Sequence, residues 1–161
     1  MSEELHLTER ETIRIARETP DELEVEGSWG PDGSAPPSHL HPSQDEHFEL
    51  TAGQLRAEVG GRLRELKAGD TLEIPRGTPH RMWNPHDERA SAIRRTRPAG
   101  RTADWFRTVD RLNDGGRRKP ALPAMAKAIS EFGDTFVLAA GPKPLQPVVR
   151  AVLRAVALVD R

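Results

Sequence analysis

Two blocks of the chain combine histidine, glycine and acidic residues at spacings that could build a metal site. The first block runs from Gly33 to Gly53 and holds His39, His41 and Glu46. Side chains alternate between the two faces of an extended strand, so His39 and His41 are expected on the same side. Glu46 follows a short turn further along, which lets two imidazoles and a carboxylate converge on one point.

The second block lies between Gly69 and Asn84 and adds a third imidazole, His80. His80 follows the segment Pro75-Arg76-Gly77, in which proline presets φ and glycine suits the last position of a type I turn. Three neutral imidazoles and one carboxylate suit one divalent transition ion: iron, manganese, nickel, zinc or copper. A six-coordinate ion held this way keeps two positions for water, dioxygen or substrate. Glu46 could also serve as a catalytic acid or base if it is only loosely coordinated.

Both blocks resemble, position for position, the two signature motifs of the cupin superfamily. The resemblance covers roughly Leu23 to Pro98 and is closest in kind to small, single-domain bacterial cupins with a helical C-terminal extension. It implies a double-stranded β-helix, or jelly roll, with the metal inside one end of the barrel. It also implies that His39, His41, Glu46 and His80 are the metal ligands.

The elements that must position these residues are short strands in the first hundred residues. Runs with period-two alternation recur at Glu11 to Arg17, Glu22 to Trp29, Gln54 to Val59 and Thr71 to Ile74. The pair Gly60-Gly61 is a hairpin signal. The sequence therefore predicts a mainly β chain with a barrel domain over residues 1–100.

After Pro98 the pattern changes and predicts a C-terminal extension of about three α-helices over residues 101–161. Thr102 is the predicted N-cap of the first helix, which Gly115-Gly116 would end. The second helix repeats apolar residues at helical spacing from Leu122 to Phe132. The third runs from about Pro147 to the end and is apolar on nearly all sides, so it requires burial. We expect the helices to pack outside the barrel or across the twofold axis of a homodimer.

The substrate pocket can be predicted only from strand parity. The residues with inward parity in or beside the ligand strands are Trp29, Phe48, Leu50 and Met82. Core packing explains these residues equally well. Arg95 or Arg97 could point into the barrel and hold an acidic substrate.

Composition excludes several classes of protein. The chain has 161 residues, a formal net charge of -1, no cysteine and no tyrosine. Thiolate ligands, disulfides and catalytic phenols are therefore excluded, and no cofactor other than a metal is predicted. The polar start from Met1 to Arg10 has no apolar stretch for a signal peptide or a membrane span, which favours a cytoplasmic protein. Acidic residues dominate the first twenty-six positions and arginines the stretch from Arg89 to Lys119. A solvated basic patch is the favoured interpretation of this asymmetry, and complementary faces within or between subunits would also explain it.

Three classes of function fit the sequence. The favoured class is a metal-dependent enzyme acting on a small organic molecule, by dioxygenase or by isomerase or cyclase-type chemistry. The second is a module that binds a metal or metabolite without turnover. The third is a transcriptional regulator, but the chain lacks a convincing helix-turn-helix pattern, and nucleic acid is not an expected partner.

Overall fold

The computed structural model describes residues 2–139 and residue 155. In chain order the elements are β1 Glu4–His6, β2 Glu11–Glu18, β3 Leu23–Trp29, β4 His39–Leu40, β5 Asp45–Ala52, β6 Gln54–Val59, β7 Arg62–Lys67, β8 Thr71–Ile74, β9 His80–Trp83, β10 Ala90–Arg97, α1 Thr102–Leu112, α2 Leu122–Glu131 and β11 Val137–Leu138.

The strands form two antiparallel sheets. The larger sheet has six strands in the order β1-β2-β3-β10-β5-β8, and the smaller has five in the order β11-β4-β9-β6-β7. Strands distant in sequence are neighbours in both sheets, as in a jelly roll. The predicted mainly β jelly roll with a helical C-terminal part is confirmed, and two helices lie within the described residues. The third predicted helix, from about Pro147 onward, lies outside them.

The two histidine-containing blocks are joined by backbone contacts at their turns. The Gly33 N–H donates to the carbonyl of Asn84 at 2.7 Å, and the Gly77 N–H donates to the carbonyl of His41 at 2.8 Å. The buried Asn84 side chain donates to the carbonyls of Trp29 and Glu88. The framing residues of the motifs therefore hold the two blocks together.

Buried residues on the inner face of the larger sheet pack against the smaller sheet at one end and against the helices at the other. Between the two sheets the buried residues include Trp29, Phe48 and Leu50. Further along, Leu23 and Val25 pack against α1 and α2 instead of against the smaller sheet. Since side chains alternate along β3, Leu23, Val25 and Trp29 share one face.

Helices α1 and α2 therefore pack on the face of the larger sheet that carries Leu23 and Val25, and the dimer interface expected for the extension stays a prediction. Trp105, Phe106 and Val109 are the large buried residues of α1. The physical reason is that the smaller sheet leaves the β1-β2-β3 end uncovered, and apolar helix faces fill that opening. Thr102 is the first residue of α1 and not its N-cap, a position that Arg101 takes without a side-chain cap.

The acidic N-terminal residues and the arginine-rich stretch meet within the chain. Arg107 of α1 pairs with Glu3 at 2.9 Å and with Glu18 at 2.7 Å. Arg95 of β10 pairs with Glu24 at 2.7 Å. The Arg107 contacts fasten the extension to the N-terminal part of the chain, whereas the Arg95 contact joins β10 to β3.

Among the described residues, no helix combines the length and the apolar character needed to cross a bilayer.

Gly53 ends the first block at a position where both the backbone conformation and the lack of space for a Cβ atom require glycine. Its φ is 70°, and a Cβ there would lie 2.4 Å from the Arg89 carbonyl oxygen, whereas Gly61 has φ 80° with nothing within 4 Å. We expect Gly61→Ala to cost about 1 kcal/mol of unfolding free energy and Gly53→Ala roughly 3 kcal/mol or more, because only Gly53 adds a backbone clash to the strain. Urea unfolding of the two variants measures the difference. Equal losses would contradict the steric argument.

Candidate metal centre

Three histidines meet where the smaller sheet lies over the larger one. His39 begins β4 and pairs directly opposite His80, which begins β9. His41 follows β4 immediately, and alternation places it on the same side as His39. One ligand nitrogen from each ring lies within 4.8 Å of the other two, so the three side chains could hold one metal ion.

Backbone carbonyls fix the orientation of two of the rings. The Nδ1 of His41 lies 2.7 Å from the Thr135 carbonyl oxygen, and the Nδ1 of His80 lies 2.9 Å from that of Thr78. A carbonyl can only accept, so both Nδ1 atoms carry the hydrogen and both Nε2 atoms are left with a free lone pair. Metal-binding histidines are commonly oriented in this way.

A carboxylate faces the same two nitrogens. The Oε2 of Glu46 lies 3.0 Å from Nε2 of His80 and 3.4 Å from Nε2 of His41. Glu46 is 1% exposed, and Nε2 of His41 is buried without a hydrogen-bond partner. Acceptor atoms that converge at this distance repel one another unless a cation or a proton lies between them. The donor set therefore fits a divalent transition ion.

Arg94 of β10 occupies the other oxygen of Glu46. Its guanidinium pairs with Oε1, and its carbon lies 5.5 Å from the ring centre of Phe48 and 4.9 Å from that of Phe106. Only Oε2 of Glu46 therefore faces the histidines. That Glu46 is the fourth ligand stays a prediction. Because Arg94 pairs with Oε1, only Oε2 is available to bind an ion.

The electrostatic setting fixes the protonation of these groups. Burial by itself would raise the pKa of Glu46, but the charge of Arg94 and the contacts with His41 and His80 hold it well below its ordinary value. Burial, together with repulsion from the neighbouring histidines, holds the pKa of His39 well below its ordinary value. At neutral pH, Glu46 is thus a carboxylate and His39 a neutral ligand. A carboxylate this acidic is unsuited to the general-acid role predicted for Glu46.

The extension contributes directly to the cluster. Phe136 stacks on His39 with ring centres 4.7 Å apart and on Trp105 of α1 at 4.6 Å. Strand β11 pairs with β4, placing Leu138 opposite His39. One wall of the candidate metal centre is therefore built from the C-terminal extension, a feature that the two sequence motifs do not signal.

The residues predicted to line a pocket divide into two groups. Phe48 and Leu50 are 5% and 2% exposed and pack in the core. Trp29 and Met82 line a cleft of about 770 Å³, hereafter the strand-helix cleft, between the barrel strands and the first residues after α1. Met82 lies two residues after His80 on the same face of β9. None of the four candidate ligands is among the residues that line the cleft.

The structure pairs Arg95, the arginine predicted for the pocket, with acidic side chains of neighbouring strands. Arg95 lies opposite His47 in the β10–β5 pair and forms ion pairs with Glu24 and Glu49 on the outer face. Its neighbour Arg94, opposite Phe48, is the arginine that points inward. The alternation of buried Ala90 and Ala92 along β10 carried this signal, because it assigns even-numbered positions to the inner face.

Sequence reasoning also missed Glu11. It lies directly opposite Trp29 in the β2–β3 pair and lines the strand-helix cleft. Burial and the nearby Glu46 raise the pKa of Glu11 to about 7, against the opposing effect of Arg94. Within the described residues its carboxyl group has no hydrogen bond or ion pair. The apolar Ile13 two positions later marks this face as inward and was the available signal.

The chain can be compared with known proteins once this geometry is described. Residues 26–93 match the family model of the cupin domain. The chain is therefore similar to cupins over this segment. All four residues predicted as cupin ligands, His39, His41, Glu46 and His80, lie inside the matched segment.

Solved cupins share the fold of this domain. KdgF from Halomonas sp. superposes with a TM-score of 0.57 at 21% identity, over 63% of this chain and 92% of that chain. An RmlC-like cupin from Shewanella frigidimarina gives 0.58 at 16% identity, over 64% of this chain and 89% of that one. At these identities the likeness establishes the fold alone.

A similar stretch occurs in a curated protein of known class. Oxidoreductase iacF of Pestalotiopsis fici is 46% identical over 54 residues, which are 33% of this chain and 26% of that protein. The chain therefore spans about a quarter of the length of this relative.

Arg94 should weaken metal binding, because its charge lies beside the cation site and it occupies Oε1 of Glu46. We expect Arg94→Met to bind Zn²⁺ about tenfold more tightly than the parent chain, corresponding to roughly 1.4 kcal/mol of relieved repulsion. Arg95→Met removes the same charge from the outer face of the same strand and should leave the affinity unchanged. Competition with a chromophoric chelator measures both. Unchanged or weaker binding by folded Arg94→Met would contradict this electrostatic account.

Glu11 should make stability depend on pH. Its folded pKa of about 7 exceeds the reference value of 4.5, so the folded state binds more protons between these values and the free energy of unfolding falls as pH rises through that window. The loss should approach about 3 kcal/mol by pH 8 and should disappear in Glu11→Gln. The exposed Glu9→Gln is the matched control and should keep the parent profile. Urea unfolding at pH 5 and pH 8 tests this, and identical profiles for all three proteins would exclude the burial of Glu11.

Proposed function

We propose that this protein is a metal-dependent enzyme that acts on a small organic molecule. The supporting observation is the convergence of Nε2 of His41 and of His80, each oriented by a backbone carbonyl, beside His39 and Glu46. In this proposal the three histidines hold one divalent transition ion, with Oε2 of Glu46 as a fourth donor. Such an ion supplies Lewis-acid chemistry, and redox chemistry if it is iron, manganese, nickel or copper.

The strand-helix cleft supplies the substrate site in this proposal. Trp29 and Met82 give it an apolar wall, and Met82 lies two residues after His80 on the same face of β9. Glu11 on the same wall has a pKa of about 7, so it can hold or release a proton near neutral pH. Glu46, kept ionised by Arg94, orients the site electrostatically and leaves proton transfer to Glu11.

Two observations support different reaction types. The relative from Pestalotiopsis fici is named an oxidoreductase, which supports dioxygenase-type chemistry. The Glu11 carboxyl in the cleft, unpaired among residues 2–139, supports proton transfer, as in isomerase or cyclase-type chemistry. A non-catalytic module that captures a metal or metabolite is the alternative function, and it would use the same histidines without turnover. A homodimer stays a prediction.

The deciding experiment starts with elemental analysis of protein purified without chelators or affinity metal. We expect one divalent transition ion per chain, and none retained by His39→Ala or His80→Ala because each removes a converging ligand. Undiminished metal in both variants would overturn the assignment of the site.

Turnover then separates the functions. Iron-loaded protein is incubated with a panel of enols, catechols and keto acids while dioxygen uptake and products are followed. Dioxygen uptake that the zinc-loaded protein lacks supports the oxygenase, whereas isomerised product with either metal supports proton-transfer chemistry. Binding of a compound with no turnover under either metal would favour the binding module.

A further inference from the structure

The strand that carries His39 is short and depends on the extension for one of its two neighbouring strands. Strand β4 has two residues, and its pairing with β9 consists of His39 opposite His80. On its other edge, β11 contributes two residue pairs, and the Ala139 N–H donates to the Ser38 carbonyl at 2.8 Å. Without β11, β4 would be a two-residue edge strand with little to fix its position.

The same segment touches two of the three histidine side chains. The Thr135 carbonyl sets the tautomer of His41, and the Phe136 ring lies on His39 with 22° between the ring planes. Phe136 in turn stacks on Trp105, and Phe132 packs against Trp105 with ring centres 5.6 Å apart. One chain of aromatic contacts therefore runs from the helical core to the candidate ligand His39.

We infer that residues 132–139 of the extension are a positioning element of the metal centre, so that metal binding and docking of this segment stabilise each other. The inference rests on the proposed metal binding by His39, His41 and His80. Because an ion binds best when its ligands are already in place, loosening this segment lowers metal affinity. By thermodynamic reciprocity, the bound metal must then tighten the segment to the same degree.

Phe136 provides the side-chain test. Full-length Phe136→Ala should lose about tenfold in Zn²⁺ affinity, as outer residues that orient ligands usually do. Phe136→Leu keeps apolar packing without the aromatic face and should lose less. Leu122→Ala is the matched control, since Leu122 is an apolar residue of the same extension that is 69% exposed. It should bind Zn²⁺ like the parent chain.

A second readout reports ligand geometry and does not depend on stability. Co²⁺ replaces Zn²⁺, and its visible absorption responds to the arrangement of the ligands. The Phe136→Ala spectrum should shift from that of the parent, whereas the Leu122→Ala spectrum should coincide with it. A merely destabilised protein with intact ligand geometry would keep the parent spectrum when saturated with metal.

Hydrogen exchange on the unmodified chain covers the case in which Phe136→Ala does not fold. Saturating Zn²⁺ should slow exchange of the amides in residues 132–139 at least tenfold, and should have little effect on the exposed strand β7. Zn²⁺ binding with no change in this segment, or equal affinity and spectra for Phe136→Ala and Leu122→Ala, would overturn the inference. Failure of the parent chain to bind Zn²⁺ at all would instead overturn the proposed function.

Discussion

The buried carboxylate of Glu46 is the constraint on which the rest of the structure depends. A carboxylate that is almost fully removed from water costs several kcal/mol unless a counter-charge and polar partners compensate it. Arg94 provides the counter-charge on one oxygen, and two imidazoles face the other. The side chains on the inner face of the barrel therefore surround a buried ion pair, and they keep water away from it.

Arg94 connects the buried carboxylate to the helical part of the molecule. Its guanidinium lies between the Phe48 ring of the barrel and the Phe106 ring of α1. Aromatic faces attract a cation and also exclude water from it. The helices thus cover the larger sheet where the smaller sheet ends, and they shield the Glu46–Arg94 pair. The extension and the barrel share one core, which explains why α1 is fastened to the N-terminal strands by ion pairs as well as by apolar contacts.

Much of this arrangement could be predicted from sequence, because short-range rules control it. The alternation of side chains along a strand predicted that His39 and His41 lie on one side. The turn at Pro75-Arg76-Gly77 predicted the strand that begins with His80. The register of β10 was the first feature missed. Choosing Arg95 over Arg94 needed the pairing of β10 with both β3 and β5, which is a long-range property. A shift of one residue in strand parity exchanges the inner and outer faces, so parity alone did not single out Arg94 as the arginine beside Glu46.

The docking of the extension could not be predicted for a different physical reason. Helical periodicity shows that a segment has an apolar face, but it does not show which surface that face covers. A barrel assumed to be closed leaves only its outside as a docking surface. In the structure the smaller sheet is too narrow to cover β1, β2 and β3, and the opening accepts α1 and α2.

The two carboxylates near the cluster have environments that assign them to different tasks. Glu46 is held ionised by a paired arginine, so it can attract a cation but cannot supply a proton near neutral pH. Glu11 reaches the same interior from β2, lacks a pairing partner among the described residues, and has a pKa of about 7. Because Arg94 lowers that pKa while Glu46 raises it, the proton on Glu11 is coupled electrostatically to the charge at the cluster. A divalent ion bound beside Glu46 would add positive charge there and favour release of the Glu11 proton. In the proposed function, a cation beside Glu46 would thus be linked electrostatically to a proton on the wall of the strand-helix cleft, as acid-base chemistry on a metal-bound substrate requires.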